Sequence, residues 1–278
     1  MKSRIVIAAL QTNAGPEIEP NLEKLAPMIR TARERGAEFI TLPENVSLMV
    51  MGKEKLYSRV RPESEHPAVT FFANMAKETG AWILAGSIAV TTDHDRLANR
   101  SYLFNPNGKI AAHYDKIHMF DADLDVNETY RESAHYRGGN CAVLSSTPWG
   151  KIGLTICYDV RFPHLYRTLA KAGAQIITVP AAFAATTGRM HWHVLLRARA
   201  IETGCFIVAP GQCGQHDGGR LTYGHSLIVA PSGEIIAEAG EEPDIIVTEL
   251  DLSQVAVARR RLPSLQHDCD FEMRVLDD

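Results

Sequence analysis

The sequence predicts an α/β fold, built on one mixed sheet or on two sheets. Three observations carry this. Strand-like runs rich in Ile, Val, Leu and aromatic residues recur from end to end. Helix-period apolar faces fall between some of these runs, and turn chemistry joins others directly. Intervening helices allow parallel pairing and tight turns give antiparallel pairing, so both in one chain make a mixed architecture.

The predicted strands begin with Arg4–Leu10, Glu38–Leu42, Trp82–Val90, Ser101–Asn105, Lys109–Tyr114 and Cys141–Ser145. They continue with Lys151–Cys157, Gln175–Val179, Cys205–Ala209, His225–Ala230, Glu234–Glu238 and Ile245–Leu250. Leu22, Leu25, Ile29 and Ala32 mark a first helical face. Phe71, Phe72, Met75 and Ala76 mark a second, stopped at Gly80. A third carries Leu165, Leu169 and Ala172 and stops at Gly173. Trp192, Leu195, Leu196, Arg199 and Ala200 mark a fourth, ending near Gly204. AsnProAsnGly at 105–108, TrpGly at 149–150 and ProSerGly at 231–233 read as turns. No linker, repeat or composition break interrupts the chain, so one domain over 1–278 is expected, with 262–278 as a C-terminal arm lying over a surface or a partner subunit.

The 278 residues are 45% hydrophobic and 22% charged, which excludes a disordered, collagen-like or coiled-coil chain. The 29 Lys and Arg against 33 Asp and Glu leave no domain-wide basic surface for nucleic acid. ArgArgArg at 259–261 reads as a solvated helix face. No apolar run approaches the ~18 residues of a membrane span. The first residues have a basic start but too short an apolar stretch for an export signal, which predicts a cytoplasmic location. Five widely spaced cysteines without Cys-x-x-Cys form neither a disulfide framework nor a zinc site.

The sharpest chemical signal is LysIleGlyLeuThrIleCysTyrAspValArgPhePro at 151–163. It puts Cys157 at a strand-to-helix elbow, where following backbone N–H groups favour a thiolate and the Tyr158 N–H faces a forming oxyanion. The bland alternative is a buried structural cysteine. A cysteine nucleophile needs a base, and His113, His118, His191, His193 and His225 carry no local signature of one. HisTrpHis at 191–193 holds no shared metal, because helical residues two apart face different directions. Glu44 ends the strand run GluPheIleThrLeuProGlu, where desolvation would raise its pKa toward general-base work; a solvated turn glutamate is the alternative. Lys116 ends LysIleAlaAlaHisTyrAspLys, where it would hold developing negative charge; a surface lysine is the alternative.

Pro43-Glu44, Tyr114-Asp115-Lys116-Ile117-His118 and Cys157-Tyr158-Asp159-Val160-Arg161-Phe162-Pro163, in that order, resemble the three motifs of the nitrilase superfamily of carbon–nitrogen hydrolases. The likeness runs from residue 4 to about 271. It implies a four-layer α-β-β-α sandwich whose subunits pair into a homodimer or higher homo-oligomer. It also implies Cys157 as nucleophile, Glu44 as general base and Lys116 as stabiliser of the oxyanion, with no metal or organic cofactor. A second glutamate completes such sites, which makes Glu132 the candidate and Glu128 the runner-up. Gly138-Gly139 and Leu124-Asp125 stand where the family often has Pro-Gly. Segments 187–205, 211–214 and 223–226 are similar to the Nit-type amidases that act on deaminated glutathione. The implied partner is therefore a small carboxylate-bearing amide, with Tyr158, Arg161 and His191 as its contacts. For Arg161 a structural pair with Asp159 or another carboxylate is the alternative, and Arg199 with Glu202 reads as a structural helical ion pair. Rival readings are an omega-amidase on 2-oxoglutaramate, an N-carbamoyl amino acid amidohydrolase, a papain-like hydrolase using histidine, and an inactive scaffold of the same fold.

Overall fold

The structure, a computed structural model, describes residues 2–92, 95–126 and 128–276. Strand β1 (Arg4–Gln11) is buried on both faces. Ile5, Ile7 and Ala9 enter one apolar cluster and Ala8 and Leu10 enter another. Side chains alternate across a strand, so β1 must lie between two covering layers.

Helix α1 (Ile18–Glu34) covers one side, setting Leu22, Leu25, Ile29 and Ala32 on the cluster of Ala8 and Leu10. Strand β2 (Phe39–Thr41) then pairs parallel to β1. After α2 (Lys53–Arg59) and the short β3 (Arg61–Pro62), helix α3 (Pro67–Thr79) packs Phe72, Met75 and Ala76 beside α1. Strands β4 (Trp82–Leu84), β5 (Ile88–Thr91), β6 (Ala98–Phe104) and β7 (Ile110–Asp115) extend the sheet. A separate hairpin of β8 (Asp121–Asp125) and β9 (Glu128–Arg131) follows.

The second sheet begins with β10 (Val143–Thr147) and β11 (Gly150–Leu154). Helix α4 (Pro163–Lys171), β12 (Ala174–Thr178), α5 (Ala185–Thr203) and β13 (Phe206–Ala209) come next. A small hairpin of β14 (Cys213–Gln215) and β15 (Leu221–Tyr223) precedes β16 (Leu227–Val229) and β17 (Ile235–Glu238). Strand β18 (Asp244–Asp251) returns to the first sheet, antiparallel to β1, and α6 (Ser253–Arg261) closes the regular structure.

The first sheet runs β18-β1-β2-β4-β6-β5-β3, with β7 on β6, and the second runs β10-β11-β12-β13-β16-β17. Ile5, Ile7, Phe39 and Leu103 of the first share a cluster with Leu154, Ile177 and Val208 of the second, and with Leu165, Leu169, Trp192 and Leu196 of α4 and α5. The layers are therefore helix, sheet, sheet, helix, as the resemblance implies. Among the described residues no helix is long and apolar enough to cross a membrane.

All three predicted turns are present as strand connections, and Gly80 and Gly204 end α3 and α5 in the left-handed conformation. The predicted strand Trp82–Val90 is broken in two, because Gly86 turns out of the extended conformation at φ +62°. Helix α2 and both small hairpins lacked a signal: Asp121–Asp125 reads AspAlaAspLeuAsp, which is acidic and short. The arginine run is a solvated face at Arg260 and Arg261 only. Arg259 turns inward and donates to the Thr203 and Ala174 carbonyls at 3.0 and 2.7 Å, closing the C-terminal end of α5. The arm is exposed beyond 266, tethered where Lys171 and Arg167 of α4 meet Asp268.

Candidate active site

Glu44, Lys116 and Cys157 each follow a strand, and the two sheets bring them together at one end of the sandwich. Glu44 sits in the turn after β2, 3% exposed. Gly86 makes that turn possible. A Cβ there would lie 1.9 Å from the Pro43 carbonyl oxygen, so only glycine lets the β4–β5 connection approach this closely. The next residue clamps the turn: Ser87 N–H donates to Pro43 O, and Ser87 Oγ accepts from Asn45 N–H at 3.0 Å.

Lys116 follows β7 and is 2% exposed. Its position is set by the β6–β7 register, which places Arg100 opposite Asp115 in a bidentate pair at 2.6 and 2.9 Å. The ammonium donates to Glu44 Oε1 at 2.9 Å and to Glu132 Oε1 and Oε2 at 3.0 and 2.8 Å. Glu132 opens a short 3₁₀ turn after β9 and also accepts the Phe120 N–H at 2.6 Å. Glu128 instead meets Tyr130 and Thr186, at 3.0 and 2.6 Å, so Glu132 and not Glu128 stands against the Lys116 ammonium.

Cys157 is the first residue of a five-residue 3₁₀ turn after β11, with φ +48° and 6% exposure. Its own N–H is used on the Pro180 carbonyl. Its thiol stands beside the Glu44 carboxylate, whose Oε2 accepts the Ala182 N–H at 2.8 Å. Behind it, the buried Arg199 donates to the Val160 carbonyl at 2.8 Å and pairs with Glu202, as the helical spacing predicts.

The electrostatics correct two expectations. Burial pushes the Cys157 thiol well above its ordinary value and the Glu44 charge adds to this, against the opposing charge of Lys116. That direction runs against the thiolate expected from the elbow. A single 3₁₀ turn lacks the aligned peptides that would stabilise an anion. Burial also raises Glu44, but the charge and hydrogen bond of Lys116, the Cys157 hydrogen bond and the Arg220 charge outweigh it, so the carboxyl ends below its usual range. Burial lowers Lys116, yet Glu132, Glu44 and Cys157 hold it well above its usual value.

Of the predicted substrate contacts, Tyr158 borders a small recess with Cys157, Phe120 and Phe183. Arg161 and His191 do not line the cavity. They bind each other, with both Arg161 Nη groups 3.3 Å from His191 Nδ1, and Arg161 stacks over Phe183 and Tyr158. The alternative Arg161–Asp159 pair is not formed either. Asp159 accepts from Ile156 N–H, Tyr114 OH and the His118 N–H. His193 turns away from His191 to Glu238, which also meets His225, both at 2.9 Å. These three have potential ligand atoms within 4.8 Å of one another, but none borders the cavity.

Three residues at the site escaped the sequence reading. Asn99 of β6 donates to Glu44 Oε1 at 2.9 Å and Glu132 Oε1 at 3.1 Å. Gln212 donates to the Glu44 carbonyl, and Arg220 lines the cavity of about 290 Å³ beside Cys157. Asn99 left a trace as an amide just ahead of an apolar strand run, and Gln212 lies within the segment 211–214 that carries the resemblance.

The family model for carbon-nitrogen hydrolases matches residues 6–260. The deaminated glutathione amidase of Synechocystis sp. (strain PCC 6803 / GT-S) is 40% identical over 94% of this chain and 96% of its own. The C. elegans NitFhit crystal structure has a TM-score of 0.88 at 32% identity over 96% of this chain; the present chain spans 65% of its length. Saccharomyces cerevisiae Nit3, a member of branch 10 of the nitrilase superfamily, has a TM-score of 0.86 at 30% identity over 96% of this chain and 97% of its own. The chain belongs to the carbon-nitrogen hydrolase family and is an amidase.

Proposed function

We propose that this amidase hydrolyses deaminated glutathione through a thioester on Cys157. The observation that carries the chemistry is the shared position of Glu44, whose carboxylate meets both the Lys116 ammonium and the Cys157 thiol. Glu44 takes the thiol proton as sulfur attacks the amide carbon. One Lys116 N–H and the Tyr158 N–H hold the tetrahedral oxyanion. The proton passes from Glu44 to the leaving nitrogen, since an amide anion cannot depart at neutral pH, and the amine leaves a thioester. Glu44 then takes a proton from water, hydroxide adds to the thioester carbon, and the carboxylic acid departs as sulfur recovers its proton. Glu132 positions Lys116 by accepting from its ammonium on both carboxylate oxygens. The chain's own residues supply every step.

The substrate rests on the Synechocystis relative, a deaminated glutathione amidase covered almost end to end. The test is a kcat/KM panel of deaminated glutathione, 2-oxoglutaramate and N-carbamoyl amino acids. Deaminated glutathione is expected to lead. A tenfold lead for 2-oxoglutaramate, about 1.4 kcal/mol of transition-state discrimination, would move the chain to omega-amidase work. Turnover of N-carbamoyl compounds alone would remove both readings.

The same proposal places the chain as one domain over 1–278, a homodimer or higher homo-oligomer of the cytoplasm. Met190, Val194 and Ile201 support association, standing exposed at helical spacing on α5. Five free cysteines support a reducing compartment.

A further inference from the structure

Three side chains on the second sheet converge away from the cavity and have no part in the amidase chemistry. His193 lies midway along α5, His225 lies in the turn between β15 and β16, and Glu238 ends β17, the edge strand of that sheet. His193 Nε2 and His225 Nδ1 both stand 2.9 Å from the same oxygen, Glu238 Oε1. All three atoms lie within 4.8 Å of one another. The side chains of His193, His225 and Glu238 are 30, 22 and 37% exposed, so an ion can reach them from solvent.

The backbone builds this convergence. His225 holds φ +49°, a left-handed conformation that a residue other than glycine adopts at a cost. Its N–H donates to the Gly240 carbonyl at 3.0 Å, and its carbonyl accepts the Trp192 indole N–H at 2.8 Å. Trp192 is fully buried and precedes His193, so one clamp anchors both histidines. The Tyr223 ring stacks on His225 at 4.4 Å and meets His193 edge-on at 6.0 Å. His191 and His193 do diverge on α5, as their spacing predicts, but His193 finds its partners across the sheet instead.

Two imidazole nitrogens and a carboxylate oxygen are ligands that suit zinc, which binds them at ~2.0–2.2 Å and sets tetrahedral neighbours ~3.3 Å apart. Each nitrogen needs to draw back from Oε1 by only ~0.4 Å to admit the ion. Each neutral ring moves its proton from the nitrogen facing Glu238 to its other nitrogen, so the ligands need lose no proton. The fourth position falls to water. We propose that His193, His225 and Glu238 form a zinc site that clasps α5 and the β15–β16 turn to the edge strand β17. None of the three borders the cavity beside Cys157, so the ion holds the fold and takes no part in amide hydrolysis.

The test strips the protein with EDTA, exchanges it into chelator-free buffer and titrates it calorimetrically with zinc chloride. The wild-type protein is expected to show one such site per chain and to unfold at a higher temperature with zinc bound. His193→Gln, His225→Asn and Glu238→Gln should each weaken the site at least about a hundredfold, more than the loss of a group that merely supports a ligand. Asn tolerates the left-handed conformation of residue 225. His191→Asn is the control and should bind as wild type does. Absence of the site from the wild-type protein overturns the proposal, leaving a hydrogen-bonded cluster without an ion. So does a smaller loss in any of the three variants, which would put the zinc elsewhere, or loss of the site in His191→Asn. Where a variant fails to fold, the wild-type protein decides through diethyl pyrocarbonate modification read by mass spectrometry. Zinc should slow modification of His193 and His225 and leave the exposed His267 unchanged; equal rates with and without zinc at either ligand overturn the site.

Discussion

Tyr114 donates its hydroxyl to the Asp159 carboxylate at 2.7 Å, joining the strand that carries Lys116 to the turn that carries Cys157. Both are fully buried, and Asp159 also accepts the Ile156 and His118 N–H groups. Tyr114→Phe removes one donor from a buried carboxylate, so a loss of about 1–3 kcal/mol is expected in urea unfolding. Turnover should fall with it, because Cys157 is then held less firmly against Lys116. Unchanged stability and kcat would show that this bond does not set the site.

Glu44→Gln should move two readouts in opposite directions. Turnover should drop by at least about a thousandfold, the scale of losing a general base and its orientation. Alkylation of Cys157 by iodoacetamide should accelerate at fixed pH, because burial and the Glu44 charge together hold the thiol up. Removing that charge leaves Lys116 to favour the thiolate. Mass spectrometry separates Cys157 from the exposed Cys141 and Cys269. Slower alkylation in the variant would reverse the assigned electrostatics. In Cys157→Ala a retained fold with no turnover is expected, and near-wild-type activity would sink the thioester mechanism.

Gly86→Ala tests the clamp beneath Glu44. The new Cβ meets the Pro43 carbonyl at a positive φ, so the cost should reach at least about 2 kcal/mol. Gly36→Ala is the control, since Gly36 also has positive φ but nothing within 4 Å of an added Cβ. Equal destabilisation of the two, with full activity in both, would leave the close approach without consequence.

His66 gives a pH dependence with a definite sign. Burial lowers its pKa to about 4 from 6.5, while it caps α3 by accepting the Ala68 N–H. Above pH 6.5 both states are neutral at this site. Between 6.5 and about 4 the unfolded chain binds a proton that the folded chain refuses, so stability falls as pH falls, by up to about 3 kcal/mol. Below about 4 this contribution is constant. His66→Asn keeps a capping oxygen and cannot titrate, so its unfolding free energy should decline less across that window. Parallel curves for the two proteins would assign the pH dependence elsewhere.

The catalytic candidates were legible because each ends an apolar strand run, and local chemistry marks such positions: Pro43-Glu44, Lys116 after Ala-Ala-His-Tyr-Asp, and Cys157 before a proline-started helix. The strand and helix periods likewise indicated an α/β chain with one mixed sheet or two sheets, though not its layers. The resemblance then named the sandwich.

What the chain order could not disclose was pairing across the sheets. Arg161 is adjacent to the elbow in sequence yet stacks behind it on Phe183, whereas Arg220 is far along the chain and faces the cavity. Asn99 has no motif, and its worth comes from lying between two carboxylates contributed by distant segments. The protonation states were also decided in three dimensions. Desolvation alone would raise Glu44, and a helix start alone would lower Cys157; the position of one buried ammonium against two carboxylates reverses the first, and burial beside Glu44 reverses the second. The sequence by itself determined which side chains end the strands, because strand period and turn chemistry are local. Only the tertiary structure decided their charges and partners, because Coulomb interaction and desolvation depend on distance through space rather than along the chain.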